Sequence, residues 1–132
     1  MSEQMQLDWS AIRAKAGPFP EEAFQFVRAG LAHTVKFVHG EGAEAPEPPP
    51  QRERHVSGQQ LCLGLRDFAM QQYGMLARTV LSRWGIHKTE DFGRIVFAMI
   101  DGGMMRRSDR DTIDDFRGVY DFDEAFAGAE DN

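Results

Sequence analysis

The stretch "KTEDFGRIVFAMIDGG", residues 88–103, decides the fold class. Phe92, Ile95, Val96, Met99 and Ile100 fall at i, i+3, i+4, i+7 and i+8, the spacing of one apolar helical face. Thr89 stands where an N-cap is expected. Glu90 and Asp91 follow in the first turn, where carboxylates complement the helix dipole. Gly102-Gly103 close the segment. It reads as a core helix, with Glu90, Asp91, Arg94, Ala98 and Asp101 expected on its solvent face.

Working outward, the same period recurs. Ahead of it, "MLARTVLSRWG" (75–85) reads as a short helix with Leu76, Val80 and Trp84 buried and Ala77 and Leu81 beside them. The segment before that begins with Ser57-Gly58-Gln59-Gln60, the spacing of a capping box, and Val56 can staple onto Leu61. Its stripe is Leu61, Leu65, Phe68 and Gln72, with Cys62 and Ala69 alongside. The longest candidate is "FPEEAFQFVRAGLAHTVKFVHG" (19–40). There Pro20 suits the first helical position, and Phe24, Val27, Leu31, Val35 and Val38 recur at steps of three and four. "DWSAIRAKA" (8–16) reads as a further short helix, stopped by Gly17-Pro18.

Between these lies "GEGAEAPEPPPQRERH" (40–55), without a large apolar residue and with a proline triplet suited to extended polyproline II. It reads as a solvated spacer, and the P-x-x-P-x-R spacing of an SH3 ligand fails. Beyond residue 103 the pattern is ambiguous. Met104 to Arg107 fit an edge strand opening a hairpin. Phe116, Val119, Tyr120, Phe122 and Phe126 are too many large apolar groups for a free tail, so most of 111–127 is expected to dock on the body, with 128–132 frayed. The expectation is therefore a mainly α, single domain over 1–132 with about five helices, plus a winged-helix-like hairpin if 104 onward pairs.

Chemistry is sparse. The chain carries a net charge of −6, with a +3 block over 57–107 and a −7 block over 108–132. No apolar run reaches the length of a membrane span. The N-terminus lacks the basic and apolar regions of a secretory signal. A single cysteine forms no intrachain disulfide, so a reducing cytoplasm is the expected location. His33, His39, His55 and His87 lack metal-ligand spacing and read as unrelated surface residues. Cys62 lies mid-helix, away from any helix N-terminus that would favour a thiolate. No phosphate-binding glycine motif occurs. The acids of "DRDTIDDF" and "YDFDEAF" read as solvated, and no EF-hand pattern is complete. No catalytic residue, cofactor or metal ligand is assigned.

"LDWSAIRAKAGPFPEEAFQFV", "HVSGQQLCLGLRDFAMQQYG", "LARTVLSRWGIHKTEDFGRIVF" and "VYDFDEAF" resemble a family of small bacterial proteins of the planctomycete–verrucomicrobial group. The resemblance spans nearly the whole chain apart from 40–55. It implies a soluble single-domain protein and carries no catalytic residues.

The function expected is a small, non-catalytic protein-interaction or regulatory module, binding itself or another protein. Candidate contact residues are Arg94, Met104, Met105, Arg106, Arg107, Tyr120 and Phe122, because methionine, aromatic and arginine side chains are enriched at interfaces. Arg66, Arg78 and Arg83 are expected to answer the acidic tail in ion pairs or, more sharply, to meet an acidic partner or RNA. A winged-helix nucleic-acid binder is the alternative. It is disfavoured by the acids Glu90, Asp91 and Asp101 on the presumptive recognition helix, which repel phosphates. An enzyme is the third reading and requires a polar pocket with a histidine or buried carboxylate. No membrane partner is expected.

Overall fold

A computed structural model describes residues 19–40, 56–103 and 112–126. Four α-helices of seven or more residues form the described body: α1 Glu21–His39, α2 Gly58–Tyr73, α3 Ala77–Arg83 and α4 Thr89–Asp101. A 3₁₀ turn, Gly74–Leu76, joins α2 to α3. A second 3₁₀ turn, Ile113–Phe116, and the single-turn helix α5, Phe122–Ala125, follow. The mainly helical reading holds, and the described residues contain no strand. The segments 8–16, 41–55, 104–111 and 127–132 lie outside the described residues. With them lie the expected N-terminal helix, the proline-rich spacer, the start of the hairpin and the frayed end.

α1 and α2 pack most extensively on one another, and glycine sets their separation. A methyl group on Gly64 would stand 1.9 Å from Thr34 Oγ1 and 2.7 Å from Thr34 Cβ. One on Gly30 would stand 2.3 Å from a Leu65 methyl carbon. Thr34 tolerates full burial because its hydroxyl donates to the Gly30 carbonyl one turn back, at 2.7 Å. The face of α1 that goes under is thus Phe24, Val27, Gly30 and Thr34, while Leu31, Val35 and Val38 are only half-buried. The expected stripe was rotated, because two glycines let α2 approach closest on the small residues.

The α2 start matches its capping box. Ser57 Oγ accepts from the Gln60 N–H at 3.0 Å, and Gln60 Oε1 accepts from the Ser57 N–H at 2.9 Å. The start of α4 differs from expectation. Thr89 is the first helical residue rather than the cap, and its hydroxyl accepts from the Val119 N–H at 3.2 Å. The orphan donors before the helix go instead to Asp91 Oδ2, which accepts from the His87 N–H at 2.9 Å and the Lys88 N–H at 3.3 Å.

α4 is the centre of the molecule. α1 covers one side, and the C-terminal segment covers another, with Phe116 seated where any Gly93 side chain would be. Asp91 and Ala98 are each 3% exposed, and not on a solvent face. Asp91 is held by the His87 and Lys88 N–H groups and by Arg94, while Phe116 covers Gly93 and Phe97 on the other flank of the helix and Phe122 meets Phe92 on the apolar stripe. Only Arg94 and Asp101 of this helix remain fully exposed, with Glu90, Phe97 and Ile100 half-exposed.

The C-terminal segment is tied down by polar groups as well as rings. Tyr120 OH donates to the Cys62 carbonyl at 2.7 Å, and Arg66 Nε donates to the Ala125 carbonyl at 2.8 Å. Arg78 pairs with Asp123 and lies over the Phe122 ring, 5.9 Å from its centroid. Arg78 thus answers the acidic segment in an ion pair, the blander of the two ways expected, while Arg66 reaches that segment through a backbone carbonyl.

Candidate interaction face

The expected contact residues do not converge. Phe122 is 2% exposed and belongs to the core, stacked against Phe92, Tyr120 and Phe126. Tyr120 is half-buried with its hydroxyl committed to Cys62. Neither ring is offered to a partner, because both were needed to close the core over α4. Arg94 is exposed, but it pairs with Asp91 at 3.3 Å and lies 5.2 Å over the Phe19 ring. Met104, Met105, Arg106 and Arg107 lie outside the described residues.

A different surface emerges on the side of α1 and α2 that carries His33 and Asp67. Phe37 stacks on His33, with centroids 6.3 Å apart. His33 meets Phe68 at 5.3 Å, and Phe68 meets Phe26 at 5.4 Å. Phe26 in turn meets Trp84 at 5.5 Å and Tyr73 at 6.3 Å. Tyr73 and Trp84 close the run edge to face at 6.0 Å. Six rings from three helices make one ladder along the α1–α2 groove. Phe26 is its buried floor, and Tyr73, Phe68 and Trp84 are half-exposed.

Large apolar groups reach water at both ends of this ladder. At one end Phe37 is 65% exposed, and the antiparallel register that pairs Thr34 with Gly64 carries Leu63, also exposed, to the same end. At the other end, immediately after Tyr73, Met75 and Leu76 are each 62% exposed. Leu76 was expected in the core. Leu76 belongs to the 3₁₀ turn, with φ −92° and ψ 2°, and α3 begins only at Ala77, so Ala77 and Leu81 go inward while Leu76 stands out.

The polar group within the ladder is the pair His33 Nε2 and Asp67 Oδ2, 2.7 Å apart, linking α1 to α2. Asp67 Oδ2 also accepts from Gln71 Nε2 at 2.9 Å. His33 is thus a half-buried helix-to-helix contact rather than an unrelated surface residue. Among the described residues no group of three or more His, Cys, Asp or Glu side chains is placed to hold a metal ion. Burial, aided by the Glu90 charge, pushes the Cys62 thiol up to about 12, so it stays protonated and inert as a nucleophile. Burial also raises the Tyr120 phenol, so neither group supplies an acid or base near neutral pH.

No helix among the described residues is long and apolar enough to cross a membrane. Comparison with protein-family models, with curated proteins and with solved structures returned no match to this chain.

Proposed function

We propose that this chain is a small helical module that binds another protein through the aromatic ladder of α1, α2 and α3. One observation carries the reading: the ladder runs from the buried Phe26 to the exposed Phe37 at one end, and the residues that follow Tyr73 at the other, Met75 and Leu76, are exposed. Single exposed apolar residues are ordinary, but clustered ones rimmed by polar groups mark binding surfaces. Aromatic rings fixed by their neighbours contribute contact area at little entropic cost, which is why they concentrate binding energy at interfaces. The rest of the described surface supports the choice by contrast. α4 is mostly buried, and the C-terminal rings are spent in the core.

The test uses three baits on one support: the wild-type chain, a ladder-end variant (Phe37→Ser with Leu76→Ser) and a control on the far side (Arg117→Ser). All three substitutions fall at exposed positions, and circular dichroism confirms that each bait is folded. The expected result is a protein retained by wild type and control and lost from the ladder-end variant. Equal retention by all three baits, or a wild-type chain that is strictly monomeric and retains nothing, would overturn the proposal.

A further inference from the structure

We infer that the segment before Phe19 docks back on its own chain, laying the apolar side of residues 5–16 along Leu76, Val80 and Trp84. This seat is independent of the proposed function. A partner that takes the α3 end of the ladder must displace the segment, while the Phe37 end is left open to it. The seat is an incompletely covered stripe. Leu76, Val80 and Trp84 stand at steps of four along α3 and its two flanks. Val80 and Trp84 are half-buried, and Leu76 and its neighbour Met75 are each 62% exposed. Ala77 and Leu81, on the other side of α3, are fully buried. The described residues thus cover one side of α3 and leave large apolar groups open on the other.

The occupant follows from where the chain enters the body. Phe19 is buried, and its ring lies 3.8 Å from where a Gly85 methyl would stand, one residue beyond Trp84. The antiparallel register that sets Thr34 on Gly64 and Phe26 near Tyr73 brings the first turn of α1 level with the Gly74–Leu76 turn. The preceding residues therefore arrive beside the stripe. Their pattern fits it. Met5, Trp9, Ile12 and Ala16 recur at i, i+4, i+7 and i+11, one apolar helical side, and Gly17-Pro18 supply a reversal before Phe19. The lengths agree as well: Leu76 to Trp84 spans about 12 Å and Trp9 to Ala16 about 10 Å at 1.5 Å per residue. With Ala16 held near Gly85, Trp9 and Met5 reach Leu76 and Met75.

Charge around the seat favours no strongly acidic or basic visitor. Glu21 and Glu22 are exposed on the first turn of α1, Arg83 is exposed at the end of α3, and Arg78 is taken by Asp123. Residues 1–18 are balanced in the same way, with Glu3 and Asp8 against Arg13 and Lys15. Apolar fit and tethering decide instead. A short tether gives the segment an effective concentration of about millimolar, which a free partner of equal affinity does not match.

The test is hydrogen exchange of the full chain, read by mass spectrometry without any partner, for wild type, Met75→Glu with Leu76→Glu, and Trp9→Ser. Met75 and Leu76 are exposed, so the protection of α4 should be unchanged and reports that each variant is folded. Amides of residues 7–16 in wild type should exchange at least about tenfold more slowly than in a free peptide of residues 1–18, and both variants should abolish the slowing. The slowing should survive a hundredfold dilution. Peroxide should oxidise Met75 severalfold faster in Trp9→Ser than in wild type. Exchange of 7–16 at the rate of the free peptide would overturn the inference, as would slowing that Met75→Glu with Leu76→Glu leaves untouched. Slowing lost on dilution would give the seat to a second copy and overturn it equally. Should the double variant lose α4 protection, the oxidation comparison decides: equal Met75 rates in wild type and Trp9→Ser would overturn the inference.

Discussion

Replacing Gly64 with alanine tests the packing that brings α1 and α2 together. The new methyl would stand 1.9 Å from Thr34 Oγ1 and 2.7 Å from both Thr34 Cβ and Cγ2. Rotating Thr34 relieves nothing, because Cβ itself is too close and a branched side chain has no empty direction to turn into. Carbon atoms in contact sit about 3.5–4 Å apart, so the helices must separate by roughly 1 Å. Overpacking of this kind costs about 1–3 kcal/mol. Alanine in place of glycine within a helix returns about 1 kcal/mol. The expected net effect is therefore a loss of about 0–2 kcal/mol, against a gain of about 1 kcal/mol if the site were open. Thr34→Ala removes the two outer atoms, so Gly64→Ala should cost distinctly less in that background. The assay is urea unfolding followed at 222 nm for wild type, both single variants and the double variant. A Gly64→Ala protein more stable than wild type by about 1 kcal/mol, or an effect unchanged by Thr34→Ala, would refute the close-approach argument.

Further expectations follow from other contacts. Ser57→Ala removes the capping box of α2 and should cost about 1 kcal/mol in the same unfolding assay. Phe122→Ala should cost about 3–5 kcal/mol, read as a large fall in melting temperature, because the ring is buried among Phe92, Tyr120 and Phe126. Tyr120→Phe keeps the ring and loses only the bond to the Cys62 carbonyl, so about 1 kcal/mol is expected. Cys62 provides a test with a defined sign. Its folded value lies near 12 against 9.0 for the free thiol, so above pH 9 the folded chain holds a proton that the unfolded chain releases. The stability this provides is whole below pH 9 and is lost as pH rises toward 12. Between pH 8 and 10, wild type should lose about 1.4 kcal/mol more than Cys62→Ala. Parallel pH dependences in the two proteins would contradict it.

What the sequence made legible was local. The Ser57–Gln60 box and the stripe from Phe92 to Met99 need only neighbours one turn apart, and both stand in the structure as expected. The departures come from tertiary contacts that periodicity does not contain. Asp91 and Ala98 sit on the polar side of α4 by spacing, yet both are buried, and Asp91 is held there by the His87 and Lys88 N–H groups. Leu76 fits a stripe with Val80 and Trp84 only if α3 includes it, and α3 begins one residue later at Ala77. The proposed binding face went unread because its rings come from two helices and from Trp84 at the end of a third. One signal for it was present: Phe26, His33 and Phe37 at i, i+7 and i+11 form a second stripe on α1, beside the one that holds Phe24 and Val27. Phe122, expected both to dock with its segment and to offer a contact, is 2% exposed and only docks. Here the acids Asp121, Asp123 and Glu124 face water while the ring between them goes inward.

The most direct test of the binding face is a residue-resolved footprint. Backbone amide spectra of the ¹⁵N-labelled full chain would be recorded alone and with a retained partner or selected peptide. The account predicts that shifts concentrate on Phe26 to Phe37 and on Asp67 to Trp84, with the side-chain N–H of Trp84 among the largest. Shifts concentrated on residues 112–126 and α4, with Phe37, Leu76 and Trp84 unmoved, would contradict it.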